Sequence, residues 1–243
     1  MKHSLFFLAL LMCLQGFSHT GYPSADEHKT LEIGASAPDF NLPGTDGKNY
    51  TLASFKNSPV LVIIFTCNHC PTAQAYEDRI IQMTKTYAPK GVAIVAISPN
   101  DPNAVQLNEL GYTDLSDSFE EMKTRYREKG YNFPYLYDGA TQSVSMAYGP
   151  VATPHVFIFD RNRKLQYQGR IDDVENPAKT PASFDTKNAI EALLAGKKVP
   201  AQTTKVFGCS VKWTEKSDLV ERTAAAYAKE PVKLEFIDEK GVR

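Results

Sequence analysis

A surplus of charge of either sign is missing from this 243-residue chain. Its 27 Lys and Arg residues nearly balance its 28 Asp and Glu residues, which leaves a formal net charge of -1. Binding to nucleic acid or to an anionic membrane surface usually shows as a strongly basic composition. The sequence therefore gives no reason to expect nucleic acid or anionic lipid as a partner, and it favours small molecules or proteins.

Long hydrophobic runs are also missing. The apolar stretch 5–14 is too short to span a bilayer comfortably. It follows the basic residue Lys2 and precedes small residues at 16–18, an arrangement typical of an export signal with its cleavage site. We expect residues 1–18 to be a signal peptide and the mature protein to be periplasmic or secreted, with no stable membrane span. An uncleaved anchor and a lipid anchor at Cys13 are the alternatives.

Cysteine is scarce, with four residues in the chain. Removal of the signal peptide would leave three of them, Cys67, Cys70 and Cys209. The sequence lacks a second pair with CxxC spacing, which would complete a four-cysteine zinc site. Export would place these thiols in an oxidising compartment, where two of them can stay paired. The pattern favours redox chemistry over zinc binding, and we expect no metal and no organic cofactor.

Two of the cysteines, Cys67 and Cys70, lie between a strand pattern and a helix pattern. The apolar, β-branched run 60–65 before them is typical of a central strand covered on both faces. The spacing of three predicts both thiols on the first helical turn, where free amide groups and a partial positive charge favour a thiolate. Thiolate character controls attack on disulfides and peroxides. We expect Cys67 to be exposed and to attack first, and Cys70 to point inward and resolve the mixed disulfide.

Three further residues are candidates for roles at this thiol pair. His69 lies between the cysteines, where an imidazole would favour the Cys67 thiolate by charge or by a hydrogen bond. A solvent-facing histidine with little influence is the alternative. Thr153 and Pro154 precede the apolar strand pattern 156–159. A cis-proline loop opposite the thiols would expose backbone groups that bind a substrate peptide.

Residues 198–243 differ in character from the rest of the chain. A Pro and Thr stretch is followed by Cys209 and Trp213, and then by a charged helix pattern. We interpret this segment as an extension packed on the main domain, because a segment of this length buries little core by itself. Cys209 is either a buried structural cysteine or a third station in a disulfide relay.

Strand and helix patterns alternate from Pro38 onward, which indicates an α/β architecture. The turn-rich quartet 44–47 between two short strand patterns predicts an N-terminal hairpin. In the helix after the thiols, Tyr76 and Ile80 lie on an apolar stripe and Glu77 falls on the predicted solvent side. Another helix is predicted to start near Asp117 or Ser118, as capping residues indicate.

The opening segment 34–42, Gly-Ala-Ser-Ala-Pro-Asp-Phe-Asn-Leu, is followed by Asp46-Gly47 and then by the strand, CxxC pair and helix. Together these resemble the thioredoxin-fold redoxin superfamily. That superfamily includes alkyl hydroperoxide reductase/thiol-specific antioxidant-like peroxiredoxins and exported thiol-disulfide oxidoreductases. The resemblance covers roughly residues 33–197 and implies a thioredoxin-like fold, a central mixed sheet flanked by helices. It also implies a protein thiol or disulfide substrate and a redox partner protein.

Residues at matching positions separate the two branches of that superfamily. Peroxiredoxins resemble Thr-x-x-Cys-Pro at the active helix, so Cys70 matches their peroxide-reactive cysteine and Cys67 replaces their threonine. Pro154 stands where they place an arginine, three residues before Phe157. Both differences favour a thiol-disulfide oxidoreductase. A thiol peroxidase that uses Cys70 on peroxide is the alternative, and a copper or zinc carrier with Cys67, Cys70 and a histidine such as His155 is the third interpretation.

One departure from the family pattern concerns proton transfer. Thioredoxins carry a buried acid six residues before the first cysteine, and this chain has Leu61 there. Proton transfer at the inner thiol then needs another group or water. Asp172 or Asp173 could approach the site from the last hairpin, and a solvated acidic loop is the alternative.

Overall fold

The computed structural model describes residues 28–110, 113–176 and 179–229. The predicted signal peptide, 1–18, and the alternative lipid anchor at Cys13 lie outside these ranges, as does the end of the predicted extension. Among the helices of the described ranges, none is long and apolar enough to cross a membrane.

Strands and helices alternate along the described chain, as the sequence pattern predicts. The strands are β1 (Asn41–Pro43), β2 (Asn49–Thr51), β3 (Leu61–Phe65), β4 (Ala93–Ser98), β5 (Tyr135–Tyr137), β6 (His155–Phe159) and β7 (Leu165–Gly169). The α-helices are α1 (Pro71–Tyr87), α2 (Phe119–Lys129), α3 (Ser143–Tyr148), α4 (Asp185–Leu194) and α5 (Ser217–Tyr227). The predicted start of α2 is confirmed, since Ser118 is its N-cap and its side chain accepts from the Glu121 N–H.

The central sheet has the strand order β5-β4-β3-β6-β7. β3 pairs in parallel with β4, and β4 with β5, whereas β6 is antiparallel to both β3 and β7. β1 and β2 form the separate hairpin, in a register that sets Leu42 opposite Tyr50. The mixed sheet, its flanking helices and the hairpin confirm the predicted α/β architecture.

Both faces of β3 are buried, which explains its uninterrupted apolar run. Val62 and Ile64 belong to one core cluster, together with residues of α1 and α4, whereas Leu61, Ile63 and Phe65 belong to the other. Alternate side chains of a strand point to opposite faces, so a strand covered on both sides needs an apolar residue at every position. β3 ends at Phe65, two residues before Cys67, and the sheet therefore fixes where the two cysteines lie.

Helix α1 departs from the sequence prediction on one face. Tyr76 and Ile80 lie in the core as predicted, but Glu77, predicted to face solvent, is 4% exposed. Its Oε1 accepts hydrogen bonds from Arg125 Nε and from Tyr131 OH, each at 2.7 Å. A buried carboxylate requires such partners. Helix α2, which supplies Arg125, thus covers the face of α1 that the sequence pattern predicts to be exposed to solvent.

Candidate active site

The loop between β3 and α1 holds both residues of the predicted thiol pair. Cys70 is the N-cap residue of α1, and Cys67 therefore lies before the helix rather than on its first turn. Both side chains are buried, with 3% of Cys67 and 0% of Cys70 exposed. The prediction of an exposed Cys67 is wrong for this oxidised state, because the Thr153 loop and Cys209 pack against the thiols.

The disulfide of this structure joins Cys70 to Cys209, whose Cα atoms are 5.9 Å apart. Cys67 is the free cysteine of the described chain. Cys67, Cys70 and Ala73 form one buried cluster, and Cys209 packs against it. The expected Cys67–Cys70 bond is thus not the one that is present. A free thiol beside a disulfide is the arrangement from which thiol-disulfide exchange proceeds.

The loop before β6 contacts all three cysteines. The peptide bond between Thr153 and Pro154 is cis, the geometry expected from the sequence. Thr153 Oγ1 lies 3.1 Å from Cys67 Sγ, and the Thr153 carbonyl oxygen lies 3.4 Å from Cys70 Sγ. The Thr153 N–H donates to the carbonyl oxygen of Cys209 at 2.9 Å. This single residue therefore positions the free thiol, one sulfur of the disulfide and the backbone of the other.

A buried imidazole–carboxylate pair lies beside Cys67. His69 Nδ1 is 2.6 Å from Asp117 Oδ2, and both side chains are buried. Asp117 Oδ1 also accepts from the backbone N–H groups of Asn68 at 2.8 Å and His69 at 3.1 Å. Asn100 Nδ2 donates to Asp117 Oδ2 at 2.7 Å. The sequence indicated Asp117 as part of a helix start and did not indicate its place at the thiols.

The carboxylate of Asp117 determines which nitrogen of His69 carries the proton. Because Nδ1 faces a carboxylate oxygen, this nitrogen carries a proton. Nε2 is buried and has no hydrogen-bond partner among the described residues. A ring nitrogen of His69, Cys67 Sγ and a carboxylate oxygen of Asp117 all lie within 4.8 Å of one another. The solvent-facing alternative for His69 is wrong, because its ring is buried beside Asp117.

Burial and hydrogen bonds move the pKa values of two groups in this site. Burial raises the pKa of Asp117, but the hydrogen bond and charge of His69 and the hydrogen bond from Asn100 outweigh it, so that pKa is lowered. The pKa of the Cys67 thiol is raised well above its ordinary value. Burial is the main cause and the charge of Asp117 adds to it, whereas the Thr153 hydroxyl and the Lys212 charge oppose it. The low-pKa thiolate expected at Cys67 is therefore absent from this oxidised state.

Comparison with known proteins identifies the family of this chain. Residues 33–168 match the sequence profile of the AhpC/TSA family. The chain belongs to the AhpC/TSA family. This family, together with the relatives below, identifies the chain as an oxidoreductase of the redoxin superfamily with a thioredoxin-like fold.

Three similar proteins represent the relatives of this AhpC/TSA protein. The crystal structure of a hypothetical protein from Sinorhizobium meliloti 1021 is 37% identical, with a TM-score of 0.68, and the match covers 76% of this chain and 97% of that chain. The thiol-disulfide oxidoreductase ResA of Geobacillus thermodenitrificans is 26% identical over 160 residues, 65% of this chain and 80% of ResA. The chloroplastic peroxiredoxin Q of Gentiana triflora is 30% identical over 101 residues, 38% of this chain and 45% of the peroxiredoxin.

The acids expected near the last hairpin are held elsewhere in this AhpC/TSA protein. Asp172 Oδ1 accepts from Arg79 Nη1 at 2.8 Å and from Tyr76 OH at 3.0 Å. Asp173 Oδ1 accepts from the Ser183 N–H at 3.0 Å. Both carboxylates thus hold the loop after β7. The buried acid beside Cys67 is instead Asp117, which the sequence did not indicate for this place.

A set of donors suited to a metal ion lies in the same place, but it differs from the predicted set. Cys67, His69 and Asp117 are the donors that the described residues bring together. The ring nitrogens of His155 are both engaged, Nε2 with Gln168 Oε1 at 3.0 Å and Nδ1 with the Val151 N–H at 3.3 Å. With His155 engaged and Cys70 in a disulfide, the set of Cys67, Cys70 and His155 predicted for a copper or zinc carrier is not assembled.

The raised pKa of Cys67 predicts how its alkylation depends on pH. We expect its rate constant in the oxidised AhpC/TSA protein to rise about tenfold per pH unit from pH 7 to pH 9 without a plateau, because only the thiolate reacts. The measurement is the rate of iodoacetamide addition, read at the Cys67 peptide by mass spectrometry. A plateau below pH 8 would contradict the raised pKa. The urea-unfolded protein is the control, and its thiol should titrate near the ordinary value.

Proposed function

We propose that this protein is a thiol-disulfide oxidoreductase whose exchange runs through Cys67, Cys70 and Cys209. The observation that carries the proposal is the free Cys67 thiol packed against the Cys70–Cys209 disulfide at the cis-proline loop. The similarity to ResA supports the same reaction class. The substrate is a protein dithiol or disulfide, and a redox partner protein supplies or accepts the electrons. No organic cofactor is needed, because the sulfurs themselves carry the electrons.

We further propose that residues 1–18 are removed on export, and that the protein works in the periplasm or as a secreted protein. Residues 33–197 then form the redoxin domain and residues 198–243 its extension. An oxidising compartment suits the proposal, because it maintains the disulfide between exchanges. The mass of the protein purified from its host tests the cleavage directly.

The first step is an internal exchange that begins at Cys67. The Cys67 thiol loses its proton, for which we propose the neighbouring His69–Asp117 pair as the acceptor, and the thiolate attacks Cys70 Sγ. A Cys67–Cys70 bond forms while the Cys70–Cys209 bond breaks, and Cys209 leaves as a thiolate that takes up a proton. No electrons leave the protein, so this step isomerises the oxidised state.

The second step transfers two electrons from a substrate. A substrate thiolate attacks Cys67 Sγ and forms a mixed disulfide, and Cys70 leaves as a thiolate. As N-cap of the 17-residue helix α1, Cys70 faces the positive end of the helix dipole, which stabilises that thiolate. A second substrate thiolate then releases the oxidised substrate and leaves Cys67 reduced. The reverse sequence reduces a substrate disulfide.

A glutathione redox titration tests this proposal. We expect peptide mapping after alkylation to find the Cys70–Cys209 bond in the oxidised protein. At intermediate redox potentials of the glutathione buffer, it should also find the Cys67–Cys70 bond. In the Cys209→Ser variant, the Cys67–Cys70 bond should form directly. The reduction potential of that bond shows whether the protein reduces or oxidises its substrate, since a value near about -270 mV indicates a reductant and one near about -120 mV an oxidant. If neither protein forms a Cys67–Cys70 bond at any poise, the proposed exchange is wrong.

A thiol peroxidase is the second candidate, and one specific observation favours it. The disulfide joins Cys70, which occupies the peroxide-reactive position of peroxiredoxins, to a distant cysteine. Peroxide would convert the Cys70 thiolate to a sulfenic acid, and Cys209 would condense with it to the disulfide and release water. Peroxide consumption that survives Cys67→Ser but not Cys70→Ser would favour this function. The presence of Pro154, where peroxiredoxins place an arginine, ranks it second.

A further inference from the structure

Three sulfur atoms of this protein converge on one residue. Cys67, Cys70 and Cys209 pack in a single cluster, and each of them contacts Thr153. Thr153 Oγ1 lies 3.1 Å from Cys67 Sγ, and its carbonyl oxygen lies 3.4 Å from Cys70 Sγ. The backbone of Cys209 accepts from the Thr153 N–H at 2.9 Å. These contacts do not depend on the disulfide, so its reduction leaves three thiols in one place.

Further backbone contacts hold the segment that carries Cys209. The Lys212 N–H donates to Asn100 Oδ1 at 2.9 Å, and its carbonyl oxygen accepts from Gln142 Nε2 at 2.8 Å. On the other side of the pair, Cys70 is fixed as the N-cap of α1. The Cα atoms of Cys70 and Cys209 are 5.9 Å apart. At this separation the two side chains can reach one shared metal ion after reduction.

Three convergent sulfurs are a donor set for a soft cation. Thiolates select soft ions such as Cu(I), whereas zinc in structural sites takes four ligands. We propose that the reduced protein binds one Cu(I) ion through Cys67, Cys70 and Cys209. The copper stays Cu(I), and each sulfur releases its thiol proton to solvent as its bond to the metal forms. The inference does not depend on the proposed exchange reaction, because it requires only that the disulfide be reduced.

The oxygen and nitrogen donors near Cys67 are already engaged. The oxygens of Asp117 accept from two backbone N–H groups, from Asn100 Nδ2 and from His69 Nδ1. Four donors use the lone-pair sites that this carboxylate would offer to a metal. Both ring nitrogens of His155 are engaged as well. The sulfurs therefore dominate the site, which favours Cu(I) over ions that prefer oxygen ligands.

The surroundings of Cys67 support a charged sulfur once a cation is present. The Thr153 hydroxyl, the Cys70 backbone and the charge of Lys212 each act to lower the pKa of Cys67, but burial outweighs them. The metal-free thiol thus keeps its proton. A bound cation replaces that proton as the positive partner, and a coordinating thiol is deprotonated. The same hydrogen bonds then orient the sulfur as a ligand.

Cys209 gives the metal a route from solvent to the site. It is partly exposed and lies between the exposed residues Gly208 and Ser210, whereas Cys67 and Cys70 are buried. Copper can therefore bind first to Cys209 and then to the two inner sulfurs. Formation of the Cys70–Cys209 disulfide removes two of the three donors, so binding is restricted to the reduced protein.

Competition with the Cu(I) chelator bathocuproine disulfonate under nitrogen tests the proposal. The full-length chain is used with Cys13→Ser in every sample, so that the three site cysteines are its only thiols. We expect the reduced protein to withdraw one equivalent of Cu(I) from the chelator and the oxidised protein to withdraw none. Cys67→Ser, Cys70→Ser and Cys209→Ser should each lower the affinity at least about tenfold, because each removes a ligand. Ser210→Ala, beside Cys209, is the matched control and should bind as the parent does.

X-ray absorption at the copper edge identifies the ligands directly, and three sulfur neighbours are expected. A histidine nitrogen in place of a sulfur would overturn the proposal, as would equal affinities of Cys209→Ser and the parent. The Cys67→Ser variant carries its own folding control, since reoxidation should restore its Cys70–Cys209 disulfide. Weak copper binding by that folded variant then reports the lost ligand. The test involves no exchange reaction, so its failure would leave the proposed function unaffected.

Discussion

Replacing Cys67 with serine is expected to lower the rate of thiol-disulfide exchange by roughly 10³-fold or more, the scale of loss when an enzyme's nucleophile is removed. Cys67 is the free thiol of the described chain, and a serine hydroxyl does not attack disulfides. The substitution is nearly isosteric and keeps a hydrogen-bonding group beside Thr153 Oγ1, which lies 3.1 Å from Cys67 Sγ in the wild type. The loss should therefore appear without a loss of stability. The measurement is the initial rate of disulfide reduction in insulin with dithiothreitol as the electron donor.

The controls for this variant use the other two cysteines. Cys209→Ser removes the disulfide of the oxidised state, and with it the internal exchange step, but leaves the Cys67–Cys70 pair, so it should retain exchange with the substrate. Cys70→Ser removes the resolving thiol, so mixed disulfides on Cys67 should accumulate and be visible by mass. A Cys67→Ser protein that keeps more than a tenth of the wild-type rate would show that Cys70 and Cys209 are sufficient by themselves.

Replacing Asp117 with asparagine is expected to destabilise the protein by about 3 kcal/mol, because it breaks a buried pair and leaves His69 without its partner charge. The exchange rate should also fall, on the order of 10²-fold. An asparagine amide that donates to Nδ1 would move the ring proton to Nε2, and the pair beside Cys67 would then lack both its carboxylate and its original tautomer. Urea denaturation measures the stability, and insulin reduction measures the rate. An exchange rate that stays unchanged would assign Asp117 to stability alone.

The pH dependence of the stability difference follows from the lowered pKa of Asp117. A carboxyl whose pKa is lower in the folded state than its ordinary value of 3.8 stabilises the fold fully above that value. The contribution disappears as pH falls through the folded pKa. The difference in unfolding free energy between wild type and Asp117→Asn should thus be larger at pH 5 than at pH 3. A difference that grows in acid would contradict this assignment. Asn100→Ala, which removes one donor to Asp117, should give the same trend with a smaller amplitude.

The central strand and the helix after it were predictable because their signals are local. The run 60–65 is apolar at every position, which a strand buried on both faces requires, and the next apolar residues recur at helical spacing. The cis peptide before Pro154 was expected only because a strand, a CxxC pair and a helix precede it in the sequence. A Thr-Pro dipeptide before a strand has no distinguishing feature when it is read alone.

The rest of the site depends on contacts between distant parts of the chain, and no local pattern encodes them. Asp117 reaches His69 across 48 positions, and Cys209 reaches Cys70 across 139. Glu77 illustrates the same limit in the core. A charged residue on a helix is predicted from sequence to face solvent, and only the structure shows that a partner such as Arg125 covers it. The burial of a polar residue is a property of its partners, which the spacing of residues along one helix does not include.

The sequence separation of 139 residues between Cys70 and Cys209 couples the bond to the stability of the whole fold. Closing a loop of this length restricts the unfolded chain by about 5 kcal/mol in the chain-entropy treatment. Since folding and bond formation share one thermodynamic cycle, the folded chain favours the bond by the same amount, about 100 mV for a two-electron couple. Reduction of the bond therefore lowers the free energy of unfolding. Conversely, heating that destabilises the folded state allows a weaker reductant to reduce the bond.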